Sequence, residues 1–159
     1  KKPQIDPTAF IAKGARIVGD VMIDANSSIW YNTVARADIN SIQIGQGSNV
    51  QDNSVIHLEN DQGVIIGNNV TIGHNAIIHG CTIKDGALIG MGAVVMDHAV
   101  VGPHAVVAAG AVVLAGTVIR EGELWAGVPA KSRGKVSEEL RTHLASTSAR
   151  YVEYASWMQ

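Results

Sequence analysis

Branched aliphatic residues return every six positions along most of this chain, with polar residues and glycines between them. Ile5, Ile11, Ile17, Ile23, Ile29 and Ala35 share one phase. Ile44, Val50 and Ile56 follow after a shift, and Ile66, Ile72 and Ile78 after another. Ile83, Ile89, Val95, Val101, Val107, Val113 and Ile119 then run unbroken. Four residues after each such position the side chain is usually small, as at Ala9, Ala15, Ser27, Ala76, Ala87, Ala93 and Ala99. Strand sandwiches place turn signals every ~8–12 residues instead. A sustained period of six is the pattern of a parallel β-helix, in which each unit is a short strand and a turn. Three units close a triangular coil, and coils stack through backbone hydrogen bonds. The aliphatics point inward as ladders, the small residues fit where the interior narrows, and Gly and Asn suit the turns. The pattern predicts an all-β solenoid.

The repeat covers residues 1–130 and stops near Pro129, which cannot continue a ladder. Residues 131–136 read as a linker, and 137–158 as a helix within the same single domain. Ser137 offers a hydroxyl to the free amides of the first turn, and Glu138 and Glu139 suit its positive end. Leu140, Leu144, Tyr151, Val152 and Ala155 make a loose apolar face, expected to pack along the outside of the prism.

Composition narrows the possibilities. Aromatic residues are only 4% of the chain, so Ile, Val, Ala and Leu must build the core. The net charge of -2, with no Lys/Arg cluster, gives no footprint for nucleic acid. Cys81 is the single cysteine, which excludes an internal disulfide or a Cys-based zinc site and suits a reducing compartment. There is no apolar run of membrane-spanning length and no apolar signal segment at the start, so no membrane partner and a cytoplasmic location are expected.

The breaks in the repeat flank the histidines. The step is nine from Ala35 to Ile44, ten from Ile56 to Ile66 and five from Ile78 to Ile83. Such irregularities in a solenoid map to loops, where function concentrates. Arg36, His57 and His79 each follow an inward aliphatic position, and each is three units from the next. They should form one outward column on successive coils ~4.8 Å apart. Two imidazoles at that spacing can reach one ion with Zn–N near ~2.1 Å. His74 is third in its unit, at a corner, and shares its column with Asp52. The chain from His74 to His79 spans more than ~10 Å around that corner, so one chain should not bring all three to one ion. A cyclic trimer can, with His57 and His79 from one chain and His74 from its neighbour. Taken alone, Arg36 and Asp38 read equally as a surface ion pair, Asn49 and Gln51 as turn residues, and Glu59 as a solvated carboxylate. His98 and His104 read as turn residues, His143 as a helix residue and Cys81 as a buried small side chain.

Arg36-Ala-Asp38, Asn49-Val-Gln51-Asp52, His57, Gly73-His74, His79-Gly80-Cys81, Leu88-Ile-Gly-Met-Gly and Gly127-Val-Pro-Ala-Lys together resemble the γ-class carbonic anhydrases over nearly the whole chain. The resemblance implies a left-handed coil, a homotrimer, and a Zn2+ ion (or Fe2+ or Co2+) held by His57, His79 and the neighbour's His74. It implies that Gln51 orients the attacking hydroxide and that Arg36, Asp38 and Asp52, with Asn49 beside them, tie subunits together and support the site. CO2 and bicarbonate would be the small-molecule substrate pair. The loop after His57 is short, Glu59-Asn-Asp-Gln, and Ile39 follows Asp38, so the usual glutamate relay has only Glu59 as a candidate. Tyr151 matches a tyrosine found near the metal in shorter members. The alternatives are an acyltransferase or thioesterase acting on acyl-CoA, which share the solenoid and the Gly-Val-Pro-Ala-Lys exit, and a catalytically weak metal-binding trimeric homologue.

Overall fold

The computed structural model describes residues 1–159. The aliphatic ladders close into a parallel β-solenoid of about 7 turns with one helix after it. One face of the prism carries Val55–His57, Ile77–His79, Val94–Val95 and Val112–Val113. A second carries Val64–Ile66, Thr82–Ile83, Val100–Val101 and Val118–Ile119. The third runs from Phe10–Ile11 through Ser28–Ile29, Asn49–Val50, Thr71–Ile72, Leu88–Ile89 and Val106–Val107 to Glu123–Ala126. Pairing between coils is parallel, with Val50 opposite Ile72 and Ile72 opposite Ile89. Ile29, Val50, Ile72, Ile89 and Val107 of that ladder are all 0% exposed. Burying each such side chain contributes about 1.5–3 kcal/mol, which offsets the ordering of very short strands.

The turns explain the polar half of the repeat. Asn26, Asn32, Asn53, Asn69 and Asn75 take the left-handed conformation, and so do His98 and His104. Asn enters that region at low cost because its short side chain bonds locally. His98 and His104 are thus turn residues in the same role.

The three breaks resolve differently. The extra residues between Ala35 and Ile44 do not make a loop. They extend one strand, Val34–Ile44, around a corner from the first face onto the second, beside the shorter but likewise extended Arg16–Ile23. Gly19 makes this possible: at φ +84, a Cβ there would lie 2.0 Å from the carbonyl oxygen of Ala37. The extra residues after Leu58 do make a loop, closed by Glu59 N–H donating to the Gln62 carbonyl at 2.9 Å. The short step after Ile78 is taken by Gly80, at φ +50.

Residues 131–136, expected as a linker, contain a strand instead. Lys131–Lys135 folds back antiparallel on Glu123–Ala126 and covers the open edge of the last coil. A solenoid end exposes unpaired N–H and C=O groups, and this hairpin pairs those of the third face. The helix, Glu138–Trp157, starts where Ser137 Oγ accepts from Leu140 N–H. It docks through Tyr151, Tyr154 and Ala155 onto Phe10 and Trp30 of the third face. Edge-to-face contacts carry the seat: Phe10 to Trp30 at 5.2 Å and Trp30 to Tyr151 at 5.6 Å. No helix is long and apolar enough to cross a membrane.

Candidate metal centre

Strand pairing sets the first two histidines in place. Val55–His57 and Ile77–His79 align so that His57 and His79 are direct partners, with Arg36 one coil before them in the same column. His57 Nδ1 and His79 Nε2 face each other at 3.2 Å. Two tetrahedral ligands ~2.1 Å from one ion stand roughly 3.4 Å apart, so this pair fits a shared cation with little movement.

Carboxylates flank both rings. Asp38 Oδ1 lies 2.9 Å from His57 Nε2, and its other oxygen takes the Arg36 guanidinium. The hydrogen bond from His57 holds the Asp38 carboxyl below the usual carboxylate range against desolvation, with the charge of Arg36 adding to the effect. Arg36 and Asp38 are therefore more than a surface pair, because Asp38 joins the guanidinium to an imidazole of the site. On the other side, His79 Nδ1 lies 2.5 Å from Asp97 Oδ1. Glu59 closes in from its loop, so that donor atoms of Glu59, His79 and Asp97 all lie within 4.8 Å of one another. Asn40 steadies that loop, its Nδ2 donating to the carbonyls of Glu59 and Asn60.

Asp97 is absent from the sequence expectations. It was accessible to the same reasoning: Ile78 pairs with Val95, which puts Asp97 one coil on from Gly80 and diagonal to His79. The column rule looks only straight along the stack and misses diagonal neighbours.

His74 stands apart, at the corner leading off the third face. Its Nδ1 lies 2.9 Å from Asp52 Oδ1, so the predicted shared column is also a contact. One chain does not bring His74 to the His57–His79 pair. It lines instead a groove of about 540 Å³ between the helix and the third face, with Gln51, Leu88, Met91, His143 and Tyr151. Gln51 belongs to this half of the site. It is 6% exposed, and its Nε2 donates to Asn49 Oδ1 while Asn49 Nδ2 donates to Thr71 Oγ1. That chain leaves the Gln51 side-chain oxygen, Oε1, as the free acceptor, since the backbone carbonyl already accepts from Thr33 Oγ1. Burial raises the Tyr151 phenol above its ordinary range, and the charge of Asp52 and then Tyr154 add to it. Burial likewise pushes the Cys81 thiol up to about 12, so Cys81 is a small core residue and not a thiolate ligand.

The donor set is three imidazoles in two places, each with a carboxylate at one ring nitrogen. Neutral imidazole suits Zn, Fe, Co, Cu and Ni, so these residues fit a divalent transition metal once the two halves meet.

The bacterial transferase hexapeptide (six repeats) family model matches residues 80–115. The chain is 47% identical, over 98% of its length, to Gamma carbonic anhydrase 3, mitochondrial, of Arabidopsis thaliana, and covers 62% of that protein. A carbonic anhydrase of Geobacillus kaustophilus is 46% identical over 45% of this chain, which covers 39% of it. The chain thus spans about three fifths or less of these curated relatives. The crystal structure of a hexapeptide transferase family protein from Anaplasma phagocytophilum superposes with a TM-score of 0.96 at 44% identity, covering 99% of this chain and 93% of that one. At 44% identity over nearly the whole of both chains, this chain belongs to the hexapeptide-repeat family, and its curated relatives include proteins named γ-carbonic anhydrases.

Proposed function

We propose that this protein assembles as a trimer and hydrates CO2 reversibly to bicarbonate at metal sites between its subunits. The observation that carries the reading is the split donor set: His57 and His79 converge at 3.2 Å on one face, while His74 is held at a corner facing away from them. A threefold arrangement brings that corner to the neighbour's face, so each site takes two imidazoles from one chain and one from the next. Zn2+ is the first candidate ion, with Fe2+ and Co2+ as the others.

When bound, the ion supplies Lewis acidity that lowers the pKa of water from ~15.7 toward ~7. The chain's own residues do the rest. Gln51, fixed by Asn49 and Thr71, presents its Oε1 to accept an O–H and so orients the nucleophile. Leu88 and Met91 give the groove an apolar wall for CO2. The Tyr151 phenol, kept protonated, is the donor available to a bicarbonate oxygen. Arg36 and Asp38 brace His57, and Asp52 braces His74. Glu59, beside His79 and only part-buried, is the carboxylate best placed to pass a proton outward.

An acyl-group reading draws on the transferase names carried by the family model over residues 80–115 and by the Anaplasma phagocytophilum relative. A transferase needs a single catalytic base, and three braced histidines exceed that need.

The test is metal analysis of protein purified with and without oxygen, paired with CO2 hydration and acetyl-CoA hydrolysis kinetics on the same samples. About one metal per chain with CO2 hydration is expected. No metal in either preparation sinks the reading, and metal without hydration leaves a non-catalytic scaffold.

A further inference from the structure

We infer that Asp97 is a positioning residue of the metal centre, which fixes His79 as the Nδ1–H tautomer and leaves Nε2 as the donor. The inference rests on the metal reading above. An ionised carboxylate only accepts hydrogen bonds, so the ring nitrogen facing it carries the proton. Asp97 Oδ1 faces His79 Nδ1 at 2.5 Å, and Asp38 Oδ1 faces His57 Nε2 at 2.9 Å. A neutral imidazole has one N–H. The two inner nitrogens, His57 Nδ1 and His79 Nε2, are then both lone pairs, 3.2 Å apart. Lone pairs at that separation repel, and a cation between them turns the repulsion into ligation. The two carboxylates brace the rings from opposite sides and in opposite tautomers, which makes the ligation mixed, Nδ1 from His57 and Nε2 from His79.

The fold makes room for this contact. Asp97 comes from the next coil, on a turn held by His98 N–H donating to the Gly80 carbonyl at 2.8 Å and Gly116 N–H donating to the Asp97 carbonyl at 2.9 Å. A Cβ on Gly80 would lie 2.7 Å from Asp97 Oδ1, so a bare backbone is required where the carboxylate passes. Glu59 is the only other carboxylate close to this ring. It stands on the inserted loop and is the one group that could replace Asp97.

The experiment has two arms. Long-range 15N correlation spectra of the metal-free wild-type protein read the tautomers directly, and Nδ1–H at His79 with Nε2–H at His57 is expected. Zinc affinity by chelator competition, with the cobalt(II) visible spectrum, is compared for wild type, Asp97→Ala, Asp97→Asn and Asp97→Ala/Glu59→Gln. Loss of a bracing carboxylate weakens metal binding ~10–100-fold, and Asp97→Ala is expected in that range with an altered cobalt spectrum. Asp97→Asn keeps an acceptor oxygen and should recover most of the affinity, while the double variant falls furthest. Circular dichroism and subunit number should not change. Nε2–H at His79 in protein that binds zinc overturns the assignment. So does Asp97→Ala with wild-type affinity and spectrum, provided that the double variant matches it. Wild type with the expected tautomers and no zinc uptake overturns the metal reading instead. If Asp97→Ala does not fold, the tautomer measurement decides.

Discussion

His74 Nδ1 stands 2.9 Å from Asp52 Oδ1, one coil apart at the same corner of the prism. The carboxylate occupies Nδ1 and leaves Nε2 of a ring that lines the groove under the helix. Under the proposed assembly, the remaining ring nitrogen of His74 would join the His57–His79 pair of another copy as a third metal donor.

Mixing therefore tests the assembly. Neither His57→Ala nor His74→Ala trimers contain an intact site. Unfolded together in equal amounts and refolded, they form mixed rings in which one of the three interfaces has all three histidines, so about a quarter of all sites should recover zinc by random assortment. Zinc per chain, measured after size exclusion, checks this. No recovery at any mixing ratio removes the cross-subunit assignment.

Gly80 should be more sensitive than its position in a turn suggests. Gly80→Ala places a Cβ 2.7 Å from Asp97 Oδ1, and the flexible side chain gives way more easily than the backbone. The left-handed φ adds ~1 kcal/mol of strain, a modest stability loss. Zinc affinity should nonetheless fall about as far as in Asp97→Ala. Unchanged affinity would show that the His79–Asp97 contact does not control the site.

The helix depends on its aromatic seat. Trp30 is 8% exposed, meets Phe10 and Tyr151, and donates Nε1–H to Ser28 Oγ at 2.9 Å. Trp30→Ala should cost about 3–5 kcal/mol by denaturant titration, with early loss of helical circular dichroism. A change below ~1 kcal/mol would mean that the helix holds by other contacts.

Tyr151 gives a pH signature. Its phenol pKa is raised by burial and then by the charge of Asp52. A group with a raised folded pKa stabilises fully below its unfolded value of ~10, and that contribution is lost as pH rises through the folded value. Wild-type stability should thus decline above pH ~10, and Tyr151→Phe should flatten the decline. Denaturation midpoints across that range, with phenolate absorbance, check the sign.

Much of this site was legible as arithmetic. The inward ladder, the His57–His79 pair with Arg36 next to the paired Ala35–Ile56, and the His74–Asp52 column all follow from counting hexapeptides, and the structure shows each. The helix start at Ser137 was readable from local chemistry. What counting missed lay off the columns. Asp97 is diagonal to His79, the strand at 131–135 looked like a linker because its sequence is polar and exposed, and the first break became a strand because Gly19 admits the Ala37 carbonyl.

The sequence by itself determined the solenoid and which residues stack, because a strict period translates directly into position along a column. It also raised the expectation that one chain should not bring all three histidines to one ion, because His74 falls at a corner and His57 and His79 on the face beyond it. Only the tertiary structure decided which ring nitrogen each carboxylate takes, that Gln51 and Tyr151 stand with His74 in the groove, and that Asp38 joins Arg36 to His57. Those choices depend on side-chain direction across turns and between helix and face, which a one-dimensional repeat does not encode.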